Sequence, residues 1–131
     1  MATSSRPAAS GMLNLDTHVL VHALDGVLNV AERKLLSCNT WTISVIVLWE
    51  ITKLAQLGKI TLDPSSPEFT RALARIHVWP LDLTICRKTT ELDFRSDPAD
   101  EIIAATSIVH QVPLVTRDSR IRKSKLVPLA I

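Results

Sequence analysis

The stretch of sequence that decides the fold is Met12-Leu13-Asn14-Leu15-Asp16-Thr17-His18. Its first four residues form a short, mostly apolar run that suits a buried strand, and a helix can start in the three residues that follow. Asp16 is therefore expected at the carboxyl end of a strand, where the chain turns into a helix.

Short apolar runs alternate with helical patterns along the rest of the chain. The other predicted strands cover residues 41–43, 78–81, 113–116 and, at the edge of the sheet, 127–131. The later predicted helices cover residues 30–37, 45–57, 67–76, 83–92 and 98–110. This alternation predicts an α/β fold, a three-layer α/β/α sandwich with helices on both faces of a central parallel sheet.

Two of the helix starts carry strong sequence signals. Ser66-Pro67-Glu68 offers a cap, a proline at the first helical position and an acid in the first turn. Asp97-Pro98-Ala99-Asp100 repeats this order, so Asp97 is expected to cap the helix that follows.

The length and composition suit one globular domain, because the chain has 131 residues, of which 47% are hydrophobic and 21% charged. Residues 1–11 lack the apolar core of a signal peptide and are expected to form a disordered tail, so the domain is predicted over 12–131. No segment approaches the ~18 consecutive apolar residues of a membrane span. We therefore expect a cytoplasmic protein in which Cys38 and Cys86 are buried thiols.

Four acids from distant segments are predicted to meet at one edge of the sheet. Asp16, Asp100 and Asp118 fall at strand ends or at the start of the following helix. Glu50 interrupts an apolar helical run, and its side chain is long enough to reach the same edge if its helix flanks the first strand. Because ligands bind beyond the carboxyl ends of parallel strands, the four acids are candidates for one shared site.

Clustered carboxylates require a positive partner, since two unit charges ~4 Å apart repel by roughly 4 kcal/mol at an effective dielectric constant near 20. Oxygen-only ligands favour Mg²⁺ or Mn²⁺ over zinc. The sequence shows no Ser/His/Asp or Cys/His pattern, so hydrolysis of a phosphodiester by cation-activated water is the chemistry that it favours.

Each acid also has a purely structural alternative. Asp16 can cap a helix, Asp100 can be a first-turn acid that the helix dipole favours, and Asp118 can lie in a turn. Glu50 is the hardest of the four to explain in this way, because it interrupts an otherwise apolar run.

Four motifs stand in a distinctive order and spacing. They are Leu-Asp-Thr-His-Val-Leu-Val-His-Ala-Leu at 15–24, Ser-Val-Ile-Val-Leu-Trp-Glu-Ile at 44–51, Asp-Pro-Ala-Asp at 97–100 with Ile-Ile-Ala-Ala-Thr after it, and Pro-Leu-Val-Thr-Arg-Asp at 113–118. With these motifs the chain resembles the PIN-domain ribonucleases, and among them the VapC-type toxins of type II toxin–antitoxin systems, over residues 12–131.

The resemblance implies a PIN-like sandwich with endoribonuclease activity. Asp16, Glu50, Asp100 and Asp118 match the acidic quartet of the family, which binds Mg²⁺ or Mn²⁺ for RNA cleavage, and Thr116 matches a polar residue that helps to position water or a carboxylate. It also implies a homodimer and a cognate antitoxin that obstructs the cleft. Structured RNAs, such as transfer or ribosomal RNA, are the typical substrates.

The cations of the chain are concentrated near its end. Residues 117–125 hold five of the fifteen Lys and Arg residues, although the net charge is only +2. The cations expected to contact RNA phosphates are Arg117, Arg120, Arg122 and Lys123. An ordinary solvated face is the alternative interpretation of this stretch.

Two features depart from the pattern of similar chains. Glu101 stands where relatives often carry Arg, and we expect its side chain to face solvent. His18 and His22 have the spacing of a zinc pair on a helix, but similar chains often have an aromatic residue at the second position. We therefore expect no metal role for these two histidines.

Other enzyme classes fit less well. A haloacid-dehalogenase-like phosphatase needs a second acid two residues after the first, where this chain has His18. A P-loop needs glycine upstream and Ser or Thr downstream of Gly58-Lys59, and both are missing. A catalytically inactive PIN-like module that binds RNA or protein remains the alternative function.

Overall fold

The computed structural model describes residues 11–131, and the strands in this part of the chain form one parallel sheet. They are β1 (Met12–Leu15), β2 (Thr40–Ser44), β3 (His77–Trp79) and β4 (Leu114–Val115). Their order across the sheet is β3-β2-β1-β4. The strand that precedes Asp16 is thus a central one, flanked by β2 and β4, and all carboxyl ends meet at one edge.

The helices lie between and after these strands. They are α1 (Thr17–Asp25), α2 (Val30–Ser37), α3 (Val45–Gln56), α4 (Pro67–Leu73), α5 (Leu83–Thr89), α6 (Pro98–His110) and α7 (Ser119–Arg122). The predicted α/β class with a central parallel sheet is confirmed. None of the helices described over residues 11–131 has the length and apolar character needed to cross a membrane.

The core is aliphatic and lies around the sheet. Leu15 of β1, Ile43 of β2 and Leu114 of β4 are completely buried, as is Ile103 of α6. Burial of one such side chain stabilises a fold by roughly 1.5–3 kcal/mol. Asn14 is also completely buried, and its Nδ2 donates to the Ile103 carbonyl at 3.3 Å and to Ser107 Oγ at 2.9 Å. This contact ties β1 to α6.

Helix capping follows the sequence with one exception. Ser66 Oγ accepts the Phe69 N–H at 3.1 Å, as its position predicts. Asp97 occupies the predicted N-cap position of α6, but its side chain accepts no capping hydrogen bond, so the helix start is confirmed and the capping contact is not. Proline at the first helical position has no N–H to be satisfied, which leaves this helix less dependent on a side-chain cap.

The predicted edge strand over 127–131 is reduced to a single bridge between Leu114 and Leu129. The Leu114 N–H donates to the Pro128 carbonyl at 2.8 Å, and the Ala130 N–H donates to the Leu114 carbonyl at 2.9 Å. Because β4 has only two residues and Pro128 has no N–H, a longer ladder cannot form here.

Two expectations concerned residues away from the sheet. Cys38 and Cys86 are exposed, so the prediction of buried thiols is wrong. Cys38 is at the C-cap of α2, and α5 buries Ile85 and turns its neighbour Cys86 outward. Of the predicted tail, only Gly11 belongs to the described residues, and residues 1–10 lie outside them.

Candidate active site

Asp16 joins the central strand to α1 and is only 9% exposed. Its Oδ1 accepts the Val19 N–H at 2.9 Å and so caps α1, while Thr116 Oγ1 donates to Oδ2. Burial raises the pKa of the Asp16 carboxyl, and the nearby charge of Asp100 acts in the same direction. Asp16 is thus both the helix cap and a carboxylate that is costly to ionise.

Glu50 lies in the middle of α3 and is half-buried. Thr17, the first residue of α1, donates its hydroxyl hydrogen to Glu50 Oε1. Burial raises the pKa of Glu50, and the negative charges of Asp100 and Asp16 add to this increase. The predicted reach of Glu50 from its helix towards the end of β1 is therefore observed.

Asp100 lies in the first turn of α6, where its Oδ2 accepts a hydrogen bond from Ser96 Oγ at 2.8 Å. Burial raises the pKa of Asp100 and is the largest cause of the shift, the Ser96 hydrogen bond lowers it, and the negative charges of Asp118 and Asp97 raise it further. The nearby cation Arg120 acts in the opposite direction.

Asp118 caps the short helix α7, since its Oδ1 accepts the N–H groups of Arg120 at 2.9 Å and Ile121 at 3.0 Å. Its own N–H donates to Thr116 Oγ1 at 3.0 Å. The buried Thr116 hydroxyl therefore donates to Asp16 and accepts from Asp118 at the same time. A hydroxyl with one donor and two acceptor positions can make both bonds, so Thr116 links two of the four acids.

The four acids influence one another electrostatically. Asp100 raises the pKa values of Asp16 and Glu50, Asp16 also raises that of Glu50, and Asp118 raises that of Asp100. However, no three His, Cys, Asp or Glu side chains in residues 11–131 are arranged so that they could hold a metal ion. Each carboxylate accepts hydrogen bonds from nearby donors, but an ionised carboxylate has about four lone-pair positions, so positions remain open for a cation. The donor chemistry, oxygen only and acidic, nevertheless suits Mg²⁺ or Mn²⁺.

The sequence model of the PIN domain matches residues 14–125 of this chain. The chain belongs to the PIN-domain family. The resemblance inferred from the four motifs is thereby confirmed, and the matched range contains all four acids and Thr116. No curated protein matches this PIN domain in sequence.

Solved structures share the fold of this PIN domain at low sequence identity. A chain of the VapBC2 complex of Rickettsia felis, bound to a fragment of promoter DNA, is 20% identical with a TM-score of 0.68. A chain of DNA-bound VapBC from Salmonella typhimurium is also 20% identical, with a TM-score of 0.64. Both alignments cover 90% of this chain and 96% of the other. A chain of FitAcB from Neisseria gonorrhoeae is 22% identical, with a TM-score of 0.57, and the alignment covers 84% and 90% of the two chains.

The cluster of raised pKa values predicts a stability change in the PIN domain. A carboxyl whose pKa is higher in the folded than in the unfolded state destabilises the fold when ionised, and this cost disappears as the pH falls through the folded pKa. Asp100→Asn should therefore raise the thermal midpoint at pH 7 in EDTA, and the gain over wild type should shrink towards about pH 4. Thermal unfolding at both pH values measures this.

Asp63→Asn is the matched control for this measurement. Hydrogen bonds from the side chain and backbone of Ser65 lower the pKa of Asp63, so its ionised form is not destabilising. Its replacement should not raise the midpoint at pH 7. An equal gain in both variants would show that the effect does not come from crowding of the four acids.

The predicted RNA-binding cations of the PIN domain are engaged to different degrees. Arg117 forms a two-pronged ion pair with Glu32, with Nε to Oε2 at 2.8 Å and Nη2 to Oε1 at 2.5 Å. Arg122 Nη1 donates to the carbonyls of Thr116 at 3.2 Å and Ile131 at 2.7 Å. Arg120 Nη1 donates to the Arg95 carbonyl at 3.3 Å, although its side chain remains exposed. Within residues 11–131, Lys123 makes no such side-chain contact.

Two residues that sequence reasoning misjudged or missed lie near the acids. Glu101 is partly buried, and its Oε2 accepts the Ser96 N–H at 3.1 Å, so the prediction that it faces solvent is wrong. Glu32 was not identified from the sequence. Its place in a capping box with Asn29 is visible there, but its partner Arg117 is 85 residues away.

Proposed function

We propose that this PIN domain is a divalent-metal-dependent endoribonuclease that serves as the toxin of a toxin–antitoxin pair in the cytoplasm. The observation that carries the proposal is the group of partly buried carboxylates at the carboxyl edge of the sheet, three of which have pKa values raised by burial and by their neighbours. A fold rarely keeps mutually repelling acids without a function for them, and such perturbed groups concentrate at active sites.

The residues that would hold Mg²⁺ or Mn²⁺ are Asp16, Glu50, Asp100 and Asp118. When bound, the cation would activate water and offset the charge that develops on the phosphate oxygens. The chain itself supplies orientation. Thr116, Thr17 and Ser96 donate to the carboxylates of Asp16, Glu50 and Asp100, respectively, and limit their rotation. Such preorganisation reduces the entropy cost of reaching a reactive geometry.

Cleavage of defined RNAs tests this function. We expect the purified protein to cut transfer RNAs or ribosomal RNA fragments with Mg²⁺ or Mn²⁺, to lose activity in excess EDTA, and to recover it when the cation is restored. Because water rather than the ribose 2′-hydroxyl is the nucleophile, the products should carry 5′-phosphate and 3′-hydroxyl ends. Full activity in EDTA or a 2′,3′-cyclic phosphate would contradict the mechanism. RNA binding without cleavage would favour the inactive module.

Lys123 is proposed as an RNA contact because it is exposed and close in sequence to Asp118. A cation that contacts only phosphate contributes to affinity and to the salt dependence of binding, and not to the chemical step. Lys123→Gln should therefore raise KM and reduce the slope of log affinity against log salt by about one. Its kcat at saturating RNA should match wild type, and a lowered kcat would contradict this assignment.

We also propose that the protein forms a homodimer and binds an antitoxin. The structural support is that its solved relatives are chains of complexes named VapBC and FitAcB. The exposed face of α3 adds to this support, because Trp49 is 57% exposed and Val45, one turn before it, is 37% exposed. Large exposed apolar side chains on one helix face are typical of association surfaces.

A further inference from the structure

An ion pair between Glu32 and Arg117 lies beside the acids and joins α2 to the segment between β4 and α7. Glu32 is in the first turn of α2 and is only 4% exposed, whereas Arg117 directly follows Thr116. The two nitrogen atoms of Arg117 meet the two carboxylate oxygens of Glu32. This two-pronged geometry fixes the direction of the guanidinium as well as its charge.

Glu32 is itself held firmly. The Asn29 N–H donates to its Oε1 at 3.1 Å, and its own N–H donates to Asn29 Oδ1 at 2.8 Å. The carboxylate therefore belongs to the capping box that starts α2, and its position is set by the helix. A buried carboxylate in a fixed position makes a rigid anchor for the arginine.

The segment anchored through Arg117 contains two residues of the proposed site. Thr116 and Asp118 flank Arg117, and the Thr116 hydroxyl bridges the Asp16 carboxylate and the Asp118 N–H. On the other side, Arg122 donates to the Thr116 carbonyl at 3.2 Å. The chain at 116–118 is thus held from α2 on one side and from α7 on the other.

We propose that Glu32 is a positioning residue, which acts through Arg117 to fix Thr116 and Asp118 relative to Asp16, and that Arg117 does not contact RNA. The proposal rests on the nuclease function proposed above, but its geometric part is independent of that function. A misplacement of about 1 Å in a reacting constellation can lower a rate by about 100-fold, so a remote anchor of this kind has a measurable effect.

The two possible roles of Arg117 make opposite predictions for Glu32→Gln. If Arg117 is a phosphate contact, the loss of the Glu32 charge leaves the arginine free for RNA, and KM falls or stays the same while kcat is retained. If Arg117 instead anchors the segment, the loss of the Glu32 charge makes residues 116–118 more mobile. In that case kcat falls by about 10- to 100-fold, while KM for RNA changes less than about threefold.

The experiment compares Glu32→Gln, Arg117→Gln and the double variant by steady-state RNA cleavage with Mg²⁺. Because both residues act through one contact, the double variant should lose no more activity than the more impaired single variant. Arg117→Lys keeps the charge but cannot make the two-pronged contact with the Glu32 carboxylate, so it should be impaired like Arg117→Gln. Arg33→Gln, which neutralises an exposed cation on the same helix, should keep wild-type kcat and KM.

Amide hydrogen exchange provides a readout that does not depend on activity. The Asp118 N–H, which bonds to Thr116 Oγ1, should exchange at least about tenfold faster in Glu32→Gln, while the exchange of the Asn14 N–H in β1 stays unchanged. If either single variant fails to fold, the exchange of the Asp118 N–H is measured in the double variant, in which two uncharged glutamine side chains replace the ion pair.

The outcomes separate the two proposals. Unchanged exchange at Asp118, additive losses of kcat, or a raised KM with normal kcat in Arg117→Gln would each overturn the positioning role. If the wild-type protein does not cleave RNA but Asp118 exchanges faster in Glu32→Gln, the nuclease function is wrong and the anchoring of 116–118 stands.

Discussion

Asp100→Asn and Asp118→Asn are each expected to lower kcat for RNA cleavage by roughly 1,000-fold or more. Asn keeps the volume of Asp but removes the negative charge, so each change weakens both cation binding and the electrostatic stabilisation that depends on it. The fold should survive. An amide oxygen can still accept the Ser96 hydroxyl at position 100, or the N–H groups of Arg120 and Ile121 at position 118.

The measurement is cleavage of one defined RNA under single-turnover conditions, together with the thermal midpoint of each variant. Asp63→Asn is the matched control, because Asp63 is exposed and its hydrogen bonds go to Ser65, so its rate should equal wild type. Wild-type activity in Asp100→Asn or Asp118→Asn would show that the replaced acid has no role in cleavage. Loss of activity with a collapsed thermal midpoint would instead indicate a structural role.

The positions of the acids were predictable from the sequence because each is fixed by a local rule. Asp16 ends a buried strand and caps α1, and Asp118 caps α7 after β4. In a parallel sheet all such junctions face one edge, so the expectation that these acids converge follows from the topology alone. Glu50 required one more assumption, namely that its helix flanks β1, and the contact with Thr17, two residues after the end of β1, agrees with it.

Residue patterns did not predict the contacts that orient these acids, since the contacts join residues that are distant in the chain, and only the family resemblance implied that Thr116 positions water or a carboxylate. Thr116 and Asp16 are separated by 100 residues, and Arg117 and Glu32 by 85. Composition and spacing counted Arg117 as one more cation of a basic stretch, because a buried partner on another element leaves no mark in the local sequence. Charge patterns predict where cations are and not what they contact.

Local patterns also failed in the turn that leads into α6. Asp97 has the sequence position of a helix cap, yet its side chain makes no capping bond. Near that turn, Glu101 accepts the Ser96 N–H and Asp100 accepts the Ser96 hydroxyl. Glu101, which was expected to face solvent, thus helps to hold Ser96, and Ser96 in turn orients Asp100. Sequence rules identify the acids that could make a given hydrogen bond, but the packing of the turn determines which of them makes it.

The hydroxyl of Thr116 should prove nearly as important as the acids. Thr116→Val keeps the shape of the side chain but removes the donor to Asp16 and the acceptor for the Asp118 N–H, both in a buried position. We expect kcat to fall by about 100-fold, with little change in KM, because the Asp16 carboxylate loses a donor and the backbone at Asp118 loses its hydrogen bond to Thr116. Val also leaves the Asp118 N–H without its partner, so a modest loss of stability should accompany the loss of rate.

Thr116→Ser is the matched variant, because it keeps the hydroxyl and loses only a methyl group. It should retain most of the wild-type rate, within about tenfold, whereas Thr116→Val should not. Single-turnover cleavage at saturating Mg²⁺ measures both rates, and a Mg²⁺ titration shows whether more cation compensates for the loss. If the two variants cleaved at the same rate, the hydroxyl would make no difference, and the bridge between Asp16 and Asp118 would have no part in cleavage. If extra Mg²⁺ restored the Val variant completely, the hydroxyl would act on cation affinity alone, because a carboxylate that is only misoriented in the reactive complex is not corrected by a higher cation concentration.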